Sequence, residues 1–67
     1  MPTIVLNGEP KTVQEDATVA GLLEELRLDP RQVAVERNQH IVPRAHYPTV
    51  TLEENDTVEV VTFVGGG

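Results

Sequence analysis

The chain has 67 residues and a mass of 7.4 kDa, with 39% hydrophobic residues, no cysteine and a formal net charge of −6. This length fits one small domain, which excludes a separate catalytic domain and an enclosed cofactor cavity of roughly 300 Å³ or more. The excess of 11 acidic over 5 basic residues disfavours nucleic acid and membrane surfaces as partners. The charge either steers the chain towards a basic protein surface or simply keeps it in solution.

A β-hairpin is predicted at the start of the chain. The β-branched run Thr3–Leu6 is followed by Asn7 and Gly8 and then by a second extended stretch over residues 9–13. Asn-Gly between two extended runs favours a type I′ turn, which needs positive φ at both central residues. Pro10 has no N–H to donate, so the second strand either lies at a sheet edge or starts after this residue.

An amphipathic helix of about ten residues is predicted next. Thr18 can cap its first turn. The apolar positions recur at i, i+3, i+4 and i+7, as Val19, Leu22, Leu23 and Leu26. Arg27 suits the last turn of such a helix, and Asp29 with Pro30 is expected to end it.

Short extended pieces and one long strand follow the helix. Residues 33–35 form a predicted strand, Asn38 and Gln39 a turn, and residues 41–42 and 50–52 two short extended segments. Residues 53–56 form a polar turn. The run over residues 57–64 is the longest and most β-prone in the chain, and we expect it to be a central strand.

This order predicts an α+β fold with a mixed four- to five-stranded sheet and one main helix packed on one face. A right-handed crossover would place the last strand beside the first and parallel to it. The arrangement is a β-grasp, as in ubiquitin. We expect a β-grasp domain over residues 1–64 with an aliphatic core, and a flexible glycine tail over residues 65–67.

Few side chains of the chain can perform catalysis. There is no cysteine and no serine, which excludes thiol and serine nucleophiles. His40 and His46 lack the spacing of a zinc motif, so we interpret them as surface residues rather than metal ligands. Adjacent carboxylates such as Glu24 and Glu25 point about 100° apart on a helix and do not share a site. We therefore predict that the chain is not an enzyme and that it binds no metal.

Three consecutive glycines, Gly65, Gly66 and Gly67, end the sequence. Their only reactive group is the α-carboxylate of Gly67, and three extended residues reach roughly 10 Å. Such a neck fits a narrow cleft of another protein in which a Cβ would collide, so we predict that Gly65 and Gly66 are threaded into a partner. The alternative is a frayed end or a linker remnant.

The last predicted strand becomes apolar on both faces near these glycines. Val58 and Val60 alternate with Glu59, but Val61 and Phe63 fall on the Glu59 side. One helix covers only one sheet face, so these residues are expected to be partly exposed and to contact a partner beside the tail. The alternative is that a bulge or sheet curvature turns them into the core.

The sequence resembles the sulfur carrier protein family of bacterial thiamine thiazole synthesis, the ThiS family, whose members are ubiquitin-like β-grasp proteins. The matching stretches are residues 6–10, 18–26, 33–38, 41–44, 55–60 and 63–67. The most specific of them are Val42-Pro43-Arg44 and the glycine end. Asn55 stands where glycine often precedes the aspartate, and a third glycine extends the usual pair. Asn tolerates positive φ, so we expect the turn to survive.

The resemblance implies a function for the terminal carboxylate. In the family, an adenylyltransferase (ThiF-like) uses ATP and Mg²⁺ to form an acyl-adenylate, and a persulfide, as from a cysteine desulfurase, replaces AMP to leave a thiocarboxylate. Thiazole synthase (ThiG-like) then accepts the sulfur. By this resemblance Gly67 carries the sulfur, and Val61, Phe63 and Val64 contact the partners. Arg44 also matches the family, with no role assigned beyond pairing with a nearby acid.

Other interpretations stay open at this point. The small subunit of molybdopterin synthase shares the fold and the thiocarboxylate, but it is generally longer in its middle than this chain. A ubiquitin-like protein modifier would form an isopeptide bond through Gly67, and a non-covalent binding module would not need the tail. The N-terminus lacks a basic segment followed by an apolar one, so a cytoplasmic location is expected.

Overall fold

The sheet and helix elements follow the predicted order in the computed structural model, which describes residues 1–63. Its strands and its helix, in chain order, are β1 (Thr3–Leu6), β2 (Glu9–Thr12), α1 (Val19–Glu25), β3 (Val33–Arg37), β4 (His40–Ile41) and β5 (Thr57–Thr62). Two short 3₁₀ turns, Pro30–Gln32 and Arg44–His46, complete the elements of the described part. The predicted domain end at residue 64 and the predicted tail over residues 65–67 lie outside the described residues.

The five strands form one mixed sheet in the order β2-β1-β5-β3-β4. β1 and β5 are parallel, with Val5 opposite Thr57 and Leu6 opposite Val58, as predicted. β5 runs antiparallel to β3 over five residue pairs, from Val33 opposite Thr62 to Arg37 opposite Val58. The last strand is therefore the centre of the sheet, and β2, which contains Pro10, lies at an edge.

Two tight turns join β1 to β2 and β3 to β4, and each of these strand pairs forms an antiparallel hairpin. Asn7 and Gly8 have φ values of 49° and 85°, and Asn38 and Gln39 have values of 53° and 70°. These values meet the requirement of a type I′ turn for positive φ at both central positions. Both predicted turns are thus confirmed, and they set the registers with Leu6 opposite Glu9 and Arg37 opposite His40.

Helix α1 is shorter than predicted. Thr18 caps it as expected, because its Oγ1 accepts a hydrogen bond from the Gly21 N–H at 3.1 Å. The helix ends at Glu25, before Arg27, which has a φ of 61°. The Arg27 N–H donates to the Glu24 carbonyl and the Leu28 N–H to the Leu23 carbonyl. These bonds form a Schellman motif, so an arginine in the left-handed region ends the helix well ahead of Asp29 and Pro30.

The core lies between α1 and one sheet face and is mainly aliphatic. Its buried members are Ile4, Val13, Val19, Leu22, Leu23, Val33, Val35, Val42, Tyr47, Leu52, Val58 and Val60. Tyr47, with 4% of its surface exposed, departs from the expectation of a purely Val, Leu and Ile core. It follows the turn Arg44–His46 closely, and its carbonyl accepts a hydrogen bond from the Ala20 N–H. The ring therefore packs where the long connection crosses the helix start.

The connection between β4 and β5 contains no strand, contrary to the extended pieces predicted within it. Around residues 50–52 only an isolated bridge between Thr18 and Thr51 is formed. The Val50 carbonyl accepts from Val19, and the Leu52 N–H donates to Ala17, so this segment is bonded to the helix start rather than to the sheet. Within residues 1–63, no helix is long and apolar enough to span a membrane.

Candidate functional site

The site is built around the end of β5, the strand that leads towards the terminal glycines. Its alternation places Val58 and Val60 in the core and leaves Glu59 and Val61 exposed on the other face. The backbone is held beyond the strand, because the Phe63 N–H donates to the Gln32 carbonyl at 2.9 Å. The chain is thus fixed to the sheet up to the last residue that the structure describes.

Asn7 holds the opposite edge of β5. Its side-chain Oδ1 accepts from the Val60 N–H at 2.9 Å, and its Nδ2 donates to the Val60 carbonyl at 3.2 Å. The main chain of β1 turns away at this point, since Asn7 and Gly8 form the hairpin turn. The amide side chain therefore continues the β1–β5 ladder by one more residue, a contact that sequence reasoning did not foresee.

Val61 and Phe63 are exposed, with 59% and 55% of their surfaces accessible, and the interpretation that they turn into the core is wrong. Ala34 on β3 is half-buried and lies directly opposite Val61, on the same face of the sheet. Val5 on β1 is also exposed on this face and was missed, although the buried Ile4 beside it indicates the alternation. We call Ala34, Val61 and Phe63 the outer patch. The other residues predicted for this site, Val64, Gly65, Gly66 and Gly67, lie outside the described residues.

The short turn Pro30–Gln32 binds the backbone that follows β5. Asp29 caps Pro30–Gln32, and its Oδ1 accepts from the Arg31 backbone N–H at 2.8 Å. The Arg31 side chain donates to both carboxylate oxygens, at 3.1 Å and 2.9 Å. The side-chain hydrogen bond from Arg31 is the main cause that lowers the pKa of Asp29. This bidentate pair shapes the backbone whose Gln32 carbonyl holds Phe63.

A buried carboxylate fastens the other end of β5. Asp56 accepts hydrogen bonds from Arg37 Nε at 2.7 Å, from Asn38 Nδ2 at 3.0 Å and from the Glu53 N–H at 2.8 Å. Burial by itself would raise the pKa of Asp56, but the bonds from Arg37, Asn38 and Glu53 outweigh it and hold that pKa below its ordinary value. This network joins the β3–β4 turn to the start of β5, at the opposite end of the strand from Phe63.

The remaining predicted residues lie apart from the end of β5. His40 and His46 are both on the surface, as predicted. Arg44 is exposed on the turn Arg44–His46 and takes part in no salt bridge within residues 1–63, although its charge helps to lower the pKa of Asp29. The pairing of Arg44 with an acid is therefore not formed in the described part of the chain.

The surface grooves of the described residues contain no arrangement of side chains that indicates catalysis or metal binding. A groove of about 570 Å³, open to solvent, runs between the segment before α1 and the helix, lined by residues that include Glu15, Asp16 and Glu25. Within residues 1–63, no group of three or more His, Asp or Glu side chains could hold a metal ion. Within the described residues, the site consists of the hydrogen-bonded backbone at the end of β5 and the exposed apolar surface of the outer patch.

A mixed sheet of this order with one helix on one face, and an exposed patch at the end of its last strand, defines a β-grasp protein of the ubiquitin-like type. The sequence model of the ThiS family matches residues 4–67, which include the terminal glycines. The chain belongs to the ThiS family. The resemblance proposed from the sequence is thus confirmed.

Two relatives support this assignment over nearly their full length. The sulfur carrier protein ThiS of Bacillus subtilis is 40% identical over 63 residues, covering 92% of this chain and 96% of its own. A crystal structure of the thiamine biosynthesis protein ThiS from Geobacter metallireducens superposes with a TM-score of 0.81 at 34% identity, over 97% of this chain and 99% of the other. The β-grasp fold is confirmed by this match.

A thiazole synthase of Paramagnetospirillum magneticum is 47% identical over 64 residues, which are 96% of this chain but 20% of that protein. A thiazole synthase of Magnetococcus marinus gives the same pattern at 50% identity. This chain therefore spans about a fifth of the length of these two relatives. A domain like it is a part of larger proteins that are thiazole synthases.

Proposed function

We propose that the chain is a sulfur carrier of thiamine biosynthesis, whose Gly67 carboxylate is adenylated and then converted to a thiocarboxylate that supplies sulfur for the thiazole ring. The observation that carries the proposal is the family match, which extends through the terminal glycines. The sequence supports it as well, because no serine or cysteine is present to act as a nucleophile. The chain is then a protein co-substrate and not an enzyme.

The chemistry explains why partner enzymes are needed. A carboxylate is a poor electrophile until one of its oxygens is made part of a good leaving group. Attack of a Gly67 carboxylate oxygen on the α-phosphate of ATP releases pyrophosphate and gives the acyl-adenylate. A persulfide sulfur then displaces AMP at the carbonyl carbon, and cleavage of the S–S bond by a second thiol leaves the thiocarboxylate. ATP and Mg²⁺ belong to the adenylating enzyme, and this chain binds no cofactor of its own.

The partners in this proposal are a ThiF-like adenylyltransferase, a ThiG-like thiazole synthase and a persulfide donor such as a cysteine desulfurase. The thiazole synthases that contain a domain like this chain support the second of these partners. We assign Gly65 and Gly66 to the neck that enters a partner's cleft, and Val61, Phe63 and Val64 to the docking contacts. The exposure of Val61 and Phe63 supports their part of this role. The proposed location is the cytoplasm.

Mass spectrometry of the intact chain tests the function. Incubation with the adenylyltransferase, ATP, Mg²⁺ and a cysteine desulfurase with cysteine should exchange one oxygen of the chain for sulfur. A chain that lacks both Gly66 and Gly67 should show no exchange, yet unfold at the same temperature, because the buried core of the described part ends at Val60. Ladders of higher mass would point to a protein modifier instead. Transfer to molybdopterin synthase but not to thiazole synthase would move the chain to the related molybdopterin pathway.

A further inference from the structure

Two carboxylates face each other on the outer face of the sheet, beside the outer patch. The register of β3 and β5 places Glu36 directly opposite Glu59, two residue pairs along from Ala34 and Val61 and therefore on the same face. Residues directly opposite on antiparallel strands have Cβ atoms about 4.5–5.5 Å apart, and like charges at this position are destabilising. The pair is an unfavourable feature of the isolated domain.

Glu36 and Glu59 have no salt-bridge partner within the described residues. The nearest basic residue along β3 is Arg37, but its side chain is bonded to the buried Asp56. Glu59 is exposed and Glu36 half-buried, so both carboxylates border the outer patch at the surface.

We propose that the sheet face formed by Glu36, Glu59 and the outer patch docks a partner protein that presents an arginine or lysine beside an apolar contact. This inference rests on the proposed function and names the chemistry of the partner surface. The apolar side chains of Val61 and Phe63 supply contact area, and the carboxylates select a basic group at one end of it. Phe63 on this face is four residues from Gly67 in the sequence, so the protein that receives the terminus is positioned to cover the face.

Charge selects this occupant over a second copy of the chain. A two-fold dimer brings the same patch of both copies together, so four carboxylates, Glu36 and Glu59 of each copy, would lie in one interface. The formal net charge of −6 adds repulsion between copies. The same charge favours the approach of a basic surface and raises its association rate. A partner with a basic residue removes the repulsion that a second copy would increase.

The experiment measures binding and stability on the same variants. The carrier with Glu36→Gln and Glu59→Gln is compared with the wild-type chain for binding to the adenylyltransferase of the same organism by calorimetry, at low and high salt. Glu24→Gln is the single-charge control, because it removes one exposed carboxylate on α1, away from this face. We expect the double variant to bind about tenfold more weakly, with a smaller salt dependence, and the control to bind as the wild type.

Stability separates docking from a structural role. Removal of the like charges should leave the unfolding temperature of the free double variant unchanged or higher, while binding weakens. In the adenylation assay, the KM for the carrier should rise with kcat unchanged. Wild-type affinity in the double variant, or equal weakening by Glu24→Gln, would overturn the inference. Sedimentation of the wild-type chain as a dimer through this face would also overturn it.

The proposed function is judged separately in the same samples. If the wild-type chain gains sulfur but the double variant binds normally, the carrier function stands and the role of the two glutamates is wrong. If the wild-type chain binds the adenylyltransferase but gains no sulfur under any condition, the proposed function is wrong. Weaker binding of the double variant in that case would still support the docking face.

Discussion

Positive φ values mark the residues at which this chain reverses direction. Outside glycine they occur, within residues 1–63, at Asn7, Asp16, Arg27, Asn38, Gln39 and Asn55. Asparagine tolerates this region better than most residues. Asn55 stands where glycine is common in the family, and its φ of 71° shows that asparagine adopts the left-handed conformation of this turn. Arg27 is different, because a long side chain gains nothing from a left-handed backbone.

Replacement of Arg27 by glycine should stabilise the protein. Glycine removes the steric cost of the left-handed conformation at the end of α1, so we expect the free energy of unfolding to rise by about 0.5–1 kcal/mol. Arg27→Ala is the matched control, since it removes the same charge and keeps the steric cost. Urea unfolding of both variants measures the difference, and equal stability of the two would contradict the assignment of strain to this residue.

Asp56 is expected to make stability depend on acid. Its pKa is lowered in the folded chain, so its contribution is complete above the unfolded pKa of about 3.9 and is lost as the pH falls through the lower folded value. Asp56→Asn should destabilise the protein by about 2 kcal/mol at pH 7, because a neutral amide replaces the charged carboxylate that accepts hydrogen bonds from three donors. The gap between variant and wild type should narrow below about pH 4.

Thermal unfolding of both proteins between pH 7 and pH 2 measures this gap. A gap that stays constant across the range would show that the charge of Asp56 does not contribute through Arg37 and Asn38. A narrowing above pH 5 would instead indicate a raised pKa.

At the scale of elements, the β1–β5 ladder depends on a side chain as well as on the backbone. Glycine at position 7 keeps the positive φ of the hairpin turn but removes both hydrogen bonds of the Asn7 amide to Val60. We expect Asn7→Gly to lower the free energy of unfolding by about 1–2 kcal/mol. The loss should come from the edge of β5 and not from the turn.

Gln39→Gly is the control for the turn itself. Gln39 has a φ of 70°, and its side chain makes no hydrogen bond within the described residues. Glycine there should leave stability unchanged or raise it, as measured by urea unfolding alongside Asn7→Gly. Similar losses in both variants would mean that the Asn7 amide contributes little to the ladder.

The elements were largely predictable because their signals are local. The Asn7-Gly8 turn, the spacing of Val19, Leu22 and Leu23, and the alternation of β5 are all signals that act over a few residues. The end of α1 was not predictable, since Leu26 continues the apolar period and no glycine marks the Schellman motif. The burial of Tyr47 and the bonding of residues 50–52 to the helix start depend on contacts between distant segments, which a local pattern does not contain.

At the scale of the whole molecule, Phe63 separates docking from folding. Its exposed ring leaves the core intact when it is replaced, so Phe63→Asp should change the unfolding temperature little. Binding to the adenylyltransferase should weaken more than tenfold, because a charge enters an apolar contact, and Phe63→Ala should weaken it less. Calorimetric titration and thermal unfolding measure the two effects, and a collapse of stability would place Phe63 in the core.

The candidate site was predictable in part. The exposure of Val61 and Phe63 follows from an alternation that continues into a face without a helix. The opposition of Glu36 and Glu59 does not, because it needs the register between strands that are separated by more than 20 residues along the chain. The placement of the Asn7 amide against Val60 requires the same long-range information.

Because β5 is the central strand, the sheet is completed only after the last strand has been synthesised. Until residues 57–62 leave the ribosome, the two hairpins have no strand between them, and Val58 and Val60 are missing from the core. A polypeptide interrupted before this point therefore cannot complete the sheet and is open to proteolysis. A copy that ends before β5 therefore lacks both the central strand of the sheet and the terminal glycines.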